Sequence, residues 1–248
     1  MCNSNQPPLV TRYSAKALPQ PNVALADPID GLLTLDDLQQ PIIMDLVVWP
    51  EAVKGHSYQL SWNGVASGTK KFIDTEQPGD PLTLEIPAGL LASDGVFGAG
   101  YAATNEFGGQ TAFSDEVPLI VDRTPPGGTL LAAMVFPSET HDGTLTSDEL
   151  TALGNVLTTE VPGYTGMAWG DRIRTFWGSV AGPEHTVTVS EVNEDVVMLD
   201  FTRAFLESLG DVKEPAFYTV TDRAGNVSID SLSKTFQLFL REVPQDYA

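Results

Sequence analysis

The chain repeats part of itself, and this repeat limits its possible folds more than any other feature. Residues 218–228 alternate apolar and polar side chains and then enter a turn-forming run with a glycine, residues 222–226. A weaker copy lies at residues 101–112. Such alternation is typical of a strand with one buried face, and such turn residues are typical of hairpins. The repeat predicts two copies of one domain.

Further matches extend the repeat along the chain at nearly constant spacing. The matched segments are residues 30–38 with 142–150, 55–62 with 170–177, and 82–91 with 197–206. A run rich in proline and glycine, residues 122–128, lies between the copies and is typical of a linker. These patterns predict an N-terminal tail or linker at residues 1–22, one domain at 23–123 and a second at 124–248.

Within each copy the pattern consists mostly of strands. About seven short strands separated by turn residues, in about 110 residues, are typical of an antiparallel β-sandwich. Short helical turns are expected at residues 88–92 and 203–209. The side chains predicted to face the two cores are Tyr58, Leu60 and Trp62 in the first copy and Ile173, Thr175 and Trp177 in the second. The predicted fold class is therefore all-β, with two tandem sandwiches and an irregular N-terminal tail.

Three sequence features resemble those of a known protein family: the hairpin Tyr-x-Val-Thr-Asp-x-Ala-Gly-Asn-x-Ser, the junction at residues 121–126 and the strands that end in tryptophan. The family is that of the tandem bacterial immunoglobulin-like repeats of surface and secreted proteins, including adhesins, which the chain resembles over about residues 25–241. The resemblance implies a non-catalytic extracellular module that acts in adhesion, as a spacer or stalk, or in assembly. The first copy departs from the pattern, since Asn105 stands where the second copy has Asp222.

Charge and composition restrict the partners. The chain has 13 basic and 33 acidic residues and a net charge of −20, which argues against nucleic acid and anionic membranes. No apolar run approaches the roughly 18 residues of a membrane span. The single cysteine, Cys2, excludes an intrachain disulfide and is either an incidental thiol or a lipid-modified terminus. The expected partner is a protein or glycan surface.

Catalytic patterns are missing from the sequence. The histidines His56, His141 and His185 stand in no nucleophile motif such as Gly-x-Ser-x-Gly. Adjacent acids on a strand point to opposite faces, so acidic doublets do not make the paired carboxylates of glycosidases. These doublets are residues 36–37, 115–116, 148–149 and 194–195. We therefore predict no catalytic, cofactor-binding or metal-binding residues and no enzyme activity.

One segment resembles part of a calcium-binding loop. Asp142, Gly143 and Glu149 match the second half of an EF-hand, but Ser138 and Thr140 occupy its first and third ligand positions. A turn before a strand explains this segment better. The resemblance to adhesins leaves calcium open at the domain junction, through Asp122 and neighbouring acids.

The tryptophans suggest two different roles. Trp62 and Trp177 occupy the same place in the repeat, which predicts burial in the cores. Trp49 and Trp169 lie near strand ends without aligned partners. A structural role is favoured for both, and the alternative, an exposed pair, would suit a sugar-binding platform. Alternatives to a surface adhesin module are a phage tail or capsid decoration protein and a carbohydrate-binding or toxin-associated module. An echo of residues 120–123 at 9–12 offers an alternative to a simple tail, in which these residues end a preceding unit of a longer repeat array.

Overall fold

The computed structural model describes residues 18–140 and 142–241. The chain divides into two compact units. One contains Gln40–Ile120 and the described residues up to Leu32, and the other contains Leu33–Gln39 and the chain from Val121 onward. Cys2, the echo at residues 9–12 and His141 lie outside the described residues.

The first unit is a sandwich of two sheets. Its strands are β1 Leu32–Leu33, β2 Ile42–Val47, β3 Ser57–Trp62, β4 Val65–Phe72, β5 Pro81–Ile86, β6 Gly95–Asn105, β7 Gln110–Phe113 and β8 Val117–Val121. One sheet has the order β1-β8-β6-β3-β4, with β7 paired to β6, and the other consists of β2 and β5. A short 3-10 turn lies at Ala88–Leu91, and another, Asp37–Gln39, falls in the second unit.

The second unit has the same arrangement. Its strands are β9 Thr144–Thr146, β10 Val156–Pro162, β11 Arg172–Trp177, β12 Val180–Thr186, β13 Val196–Thr202, β14 Lys213–Thr221 and β15 Lys234–Phe239. The sheet orders are β12-β11-β14-β15-β9 and β10-β13. Its helical segments are the 3-10 turn Ser138–Thr140 and the helices α1 Ser147–Ala152, α2 Val189–Glu194 and α3 Arg203–Leu209. Both units are therefore immunoglobulin-like sandwiches, which confirms the predicted fold class.

The core of the second sandwich is aromatic. Trp177 is 1% exposed, and its ring lies 5.5 Å from each of the rings of Phe201 and Phe236. Ile173 and Thr175 are fully buried on the same strand, β11. The alternation predicted for this strand is confirmed, because only one of its faces meets the core.

The first sandwich differs at the matching strand, β3. Tyr58 and Leu60 are buried as predicted, but Trp62 is only half-buried and stacks on Phe97 at 5.1 Å. Ser61, which the pattern places in water, is 2% exposed. The prediction of Trp62 as a core residue is wrong, because Trp62 is the last residue of β3 and packs on Phe97, which is itself only half-buried. The burial of Ser61 on the other face shows that alternation does not separate core from solvent on this strand.

The first sandwich begins earlier in the chain than the sequence pattern places it. Leu18 is 8% exposed and forms a parallel bridge with Ser114. Asn22 forms an antiparallel bridge with Asp45, with N···O distances of 2.8 and 2.7 Å. Two residues of the segment predicted as tail, Leu18 and Asn22, therefore form bridges to the first unit. The prolines in this segment predict a tail because proline lacks an amide donor, but pairing at a sheet edge needs few amide donors.

Candidate functional site

The hairpin after β14 contains a closed polar turn. Both carboxylate oxygens of Asp222 accept hydrogen bonds from Asn226, one from its backbone N and one from Nδ2, each at 2.8 Å. Asn226 Nδ2 also donates to the carbonyl oxygen of Asp122 at 3.1 Å, and Asn226 is 4% exposed. Gly225 supplies the positive φ, 95°, that the reversal needs. Asn226 thus ties the hairpin to the chain that enters the second sandwich.

A buried carboxylate lies near this turn. Asp171 is fully buried, and its Oδ2 accepts hydrogen bonds from the Tyr164 hydroxyl at 2.9 Å and from the backbone N of Ala168 at 3.0 Å. Its Oδ1 is buried and has no hydrogen-bond partner among the described residues. Leaving such an oxygen unpaired costs free energy, so Asp171 is the polar group of the second sandwich that most needs an explanation.

Electrostatics at Asp171 disfavour its charged form. Burial raises the pKa of Asp171, and the negative charges of Asp222 and Asp122 raise it further. The hydrogen bonds from Ala168 and Tyr164 act in the opposite direction but do not cancel these effects. Burial also raises the pKa of Tyr164, with a further contribution from the nearby charge of Asp171. The site therefore holds a carboxyl group that binds a proton more readily than a solvated aspartate does.

The carboxylates do not form a metal centre. Across residues 18–140 and 142–241, no group of three or more His, Cys, Asp or Glu side chains is placed to hold a metal ion. Both oxygens of Asp222 accept from Asn226, and Asp122 Oδ1 accepts from the backbone N of Thr124 at 2.9 Å. Calcium at the junction stays a prediction of the sequence.

The segment that resembles an EF-hand has a structural role. Glu149 Oε2 accepts from Thr146 N at 2.7 Å, and Thr146 Oγ1 accepts from Glu149 N at 3.3 Å, which forms a capping box at the start of α1. Asp142 accepts from the backbone N of Thr144 at 2.9 Å. The carboxylates of Glu149 and Asp142 each accept a hydrogen bond from a backbone N, which agrees with the interpretation of this segment as a turn before a strand.

The remaining candidate residues lie apart from one another. His56 is half-buried and stacks on Trp49 at 6.3 Å. His185 Nε2 lies 2.8 Å from Glu191, whose carboxylate also caps α2. Among the acidic doublets, Glu116 accepts from Gly64 N at 2.6 Å. The structure thus brings these groups into separate local contacts and not into one site.

Trp49 and Trp169 do not form an exposed pair. Trp49 is 5% exposed and lies 6.4 Å from the ring of Tyr101, so it has the structural role that the sequence favours, and the alternative of an exposed position does not hold. Trp169 is 40% exposed, but the guanidinium of Arg223 lies 4.0 Å from its ring centre. Gly170 permits this cover, because a Cβ there would lie 2.6 Å from the Arg223 Cδ. Arg223 therefore covers the ring of Trp169, the most exposed of the four tryptophans.

Sequence reasoning missed Asp171. It matches His56 in the repeat and precedes a strand, which is a typical surface position. No periodicity marks its burial, because the cover comes from the loop that carries Tyr164 and Ala168. A polar residue one position before an alternating strand is too common a pattern to have identified it.

No protein-family model matches the chain, and the curated proteins include no match. Among solved structures, a chain from a study of host cell surface retention by a 1.5-MDa bacterial ice-binding adhesin is similar, with 18% identity and a TM-score of 0.45. The match covers 85% of this chain and 61% of the adhesin chain.

Two other solved structures are also similar. The chicken interferon gamma receptor alpha chain matches with 8% identity and a TM-score of 0.29, over 90% of this chain and 100% of the receptor chain. A β-1,2-glucanase from Parabacteroides distasonis matches with 14% identity and a TM-score of 0.22, over 80% and 32%. Within the described part of the chain, every helix is too short or too polar to cross a membrane.

Replacing Asp171 with asparagine is expected to stabilise the second sandwich at neutral pH by on the order of 1 kcal/mol, because it removes a buried charge. A folded-state pKa above the unfolded value of 3.8 means that Asp171 contributes stability below pH 3.8 and loses it as pH rises. The gain in the variant should therefore grow with pH. Urea unfolding between pH 3 and 8 measures it, and a gain independent of pH would contradict the assignment.

Proposed function

We propose that the chain is a non-catalytic immunoglobulin-like module of a bacterial extracellular or cell-surface protein, where it acts as a load-bearing spacer in adhesion. The observation that supports this role most directly is the pairing of the terminal strands. In the second sandwich the first strand, β9, and the last strand, β15, are parallel neighbours. In the first sandwich, Leu18 near the start of the described chain forms a parallel bridge with Ser114.

Parallel terminal strands determine how a domain responds to tension. Three residue pairs join β15 and β9: Gln237 with Thr144, Leu238 with Leu145 and Phe239 with Thr146. Force on the two ends of the domain acts along these strands in opposite directions. The hydrogen bonds between them are then loaded together in shear and do not break one after another. A spacer between a cell and its target carries load in this direction.

The spacer role also fits the composition. The net charge of −20 makes neighbouring copies repel one another in solution, which disfavours self-association. The serine hydroxyls beside the hairpins add to strand closure. Tyr101 N donates to Ser114 Oγ and Tyr218 N to Ser231 Oγ, each at 3.0 Å. The same type of hydrogen bond, from a tyrosine backbone N to a serine hydroxyl, therefore stabilises both sandwiches after their last hairpins.

Single-molecule pulling on the two chain ends tests the proposal. We expect two separate unfolding events, each releasing about 35–40 nm of chain, since an extended residue spans about 3.5 Å. In the control, the second sandwich is pulled from β15 and from the β11–β12 turn. This geometry does not load the β9–β15 pair in shear, so the second sandwich should unfold at a lower force. Equal forces in the two geometries would contradict a load-bearing role. A symmetric ring of copies in solution would favour the virion alternative instead.

A further inference from the structure

One sheet face of the second sandwich differs in chemistry from the rest of the molecule. On β11 the buried residues Ile173, Thr175 and Trp177 face the core, so Arg172, Arg174 and Phe176 face outward. On β14 the buried residues alternate in the same way. We define the arginine face as the outward side chains Arg172, Arg174, Phe176, Glu184, Lys213 and Phe217.

The centre of the arginine face is aromatic. Phe176 and Phe217 are direct partners across β11 and β14, and their rings stack at 5.1 Å with an angle of 13° between their planes. The guanidinium carbon of Arg174 lies 5.5 Å from the Phe176 ring centre. Two half-buried rings and a guanidinium thus form one continuous flat surface.

The arginine face is positive in an acidic chain. A single carboxylate, Glu184, pairs with both arginines, at 3.2 Å from Arg172 and 3.1 Å from Arg174. Lys213 is exposed on the same face but lies four residues along β14 from Phe217, a distance of about 13 Å. Two arginines against one carboxylate give the surface around the Phe176–Phe217 pair one excess positive charge, although the whole chain carries a net charge of −20. A ligand that prefers this face to the rest of the surface must be an anion.

The first sandwich shows that the fold does not require these side chains. In the second sandwich, the pair Thr175–Tyr218 lies next to the pair Phe176–Phe217. In the first, the pair Leu60–Tyr101 lies next to Ser61–Gly100 in the same register. The first sandwich therefore has serine and glycine where the second has the stacked phenylalanines. Gln59 and Ser57 likewise stand where Arg174 and Arg172 stand.

We propose that the arginine face binds a carboxylate-bearing saccharide, with the Phe176–Phe217 pair as the stacking surface and Arg174 and Arg172 as the carboxylate partners. Guanidinium groups bind carboxylates through paired hydrogen bonds. Thr219 and Thr221, which lie opposite these arginines on β14, supply neutral hydroxyl groups that suit the hydroxyls of a sugar. This ligand class deepens the proposed function, on which it rests, by naming what an adhesive module would hold.

The size of the face favours a saccharide over a protein partner. The three strands that carry this face, about 4.8 Å apart and about six residues long, give an area of roughly 300 Å². A stable protein interface buries about 800 Å² on each partner. A short acidic oligosaccharide fits the smaller area, whereas a protein would have to extend well beyond the residues that are positive.

Isothermal titration calorimetry of the full chain with tetragalacturonate tests the proposal. The fully methyl-esterified tetramer is the matched ligand, because each carboxylate becomes an uncharged methyl ester on the same sugar chain. We expect the acid form to bind and the ester to bind at least about tenfold more weakly, as the loss of charged hydrogen bonds predicts. Binding should weaken as salt rises. No binding, or equal binding of acid and ester, would overturn the assignment, and a hexaglutamate peptide that binds as tightly would point to a protein partner.

Variants place the binding on this face. Arg174→Gln and Phe176→Ser introduce the residues that the first sandwich has at the same positions, so the fold accepts them. Each is expected to weaken tetragalacturonate binding about tenfold. Lys54→Ser removes an equal charge from an exposed site of the first sandwich and should change binding less than about twofold. Equal effects of Arg174→Gln and Lys54→Ser would show that only overall charge matters. If tetragalacturonate does not bind, the saccharide assignment fails, whereas the spacer role is tested separately by the pulling experiment.

Discussion

Replacing Trp177 with alanine is expected to lower the free energy of unfolding of the second sandwich by about 3–5 kcal/mol, the largest loss expected from any single aromatic truncation in this chain. Its side chain is 1% exposed and contacts the rings of Phe136, Phe201 and Phe236. The cavity left by alanine would lie among rigid rings that cannot close over it. Hydrogen exchange measured on peptides from β11 and β14 gives the loss for this sandwich alone.

The matched control is Trp62→Ala, at the same place in the repeat. Trp62 is half-buried and packs mainly on Phe97, so we expect a loss of about 1–2 kcal/mol in the first sandwich. Exchange in β3 and β6 reports on that loss. Similar losses for the two variants would mean that Trp62 contributes to its core as Trp177 does, contrary to the structure.

The fold follows from sequence patterns that act over short distances. Alternation marks β11 because Ile173, Thr175 and Trp177 face a single core. The helical turns after β5 and β13 also follow from local spacing, and the structure places them at Ala88–Leu91 and Arg203–Leu209. Each of these features is a strand with one buried face or a single turn of helix, and the spacing of apolar residues within the segment predicts both.

The features that sequence could not predict depend on packing between distant segments. Trp49 is buried because it meets Tyr101 on β6 and His56 just before β3. Asp171 is buried because a loop folds over it, bringing the Tyr164 hydroxyl to its carboxylate. The arginine face was missed for a similar reason. Phe176 and Phe217 become neighbours only when β11 and β14 pair in register.

A duplicated Asp-Gly turn gives the second large effect. Gly31 and Gly143 follow aligned aspartates and have similar positive φ angles, 86° and 80°. Their surroundings differ. A Cβ at Gly31 would lie 2.1 Å from the Pro118 carbonyl oxygen, whereas the nearest atom to a Cβ at Gly143 is the Thr235 carbonyl oxygen at 3.4 Å. The first distance is far inside van der Waals contact, and the second is ordinary contact.

Gly31→Ala is therefore expected to cost the first sandwich about 3 kcal/mol or more, because the backbone must move as well as adopt a strained angle. The movement would open the hydrogen bond from Ile120 N to the Gly31 carbonyl oxygen, now 2.9 Å long. Urea unfolding followed by exchange in β8 measures this cost.

Gly143→Ala carries only the penalty for a positive φ, about 1 kcal/mol, and serves as the control. Both variants make the same change in the same motif, so the difference between them isolates the contact with Pro118. If the two losses were equal, the close approach of Gly31 to the Pro118 carbonyl would not exist in solution. A larger loss at Gly31 would show that this glycine lets β1 pair closely with β8, an effect that the matching sequences of the two turns do not reveal.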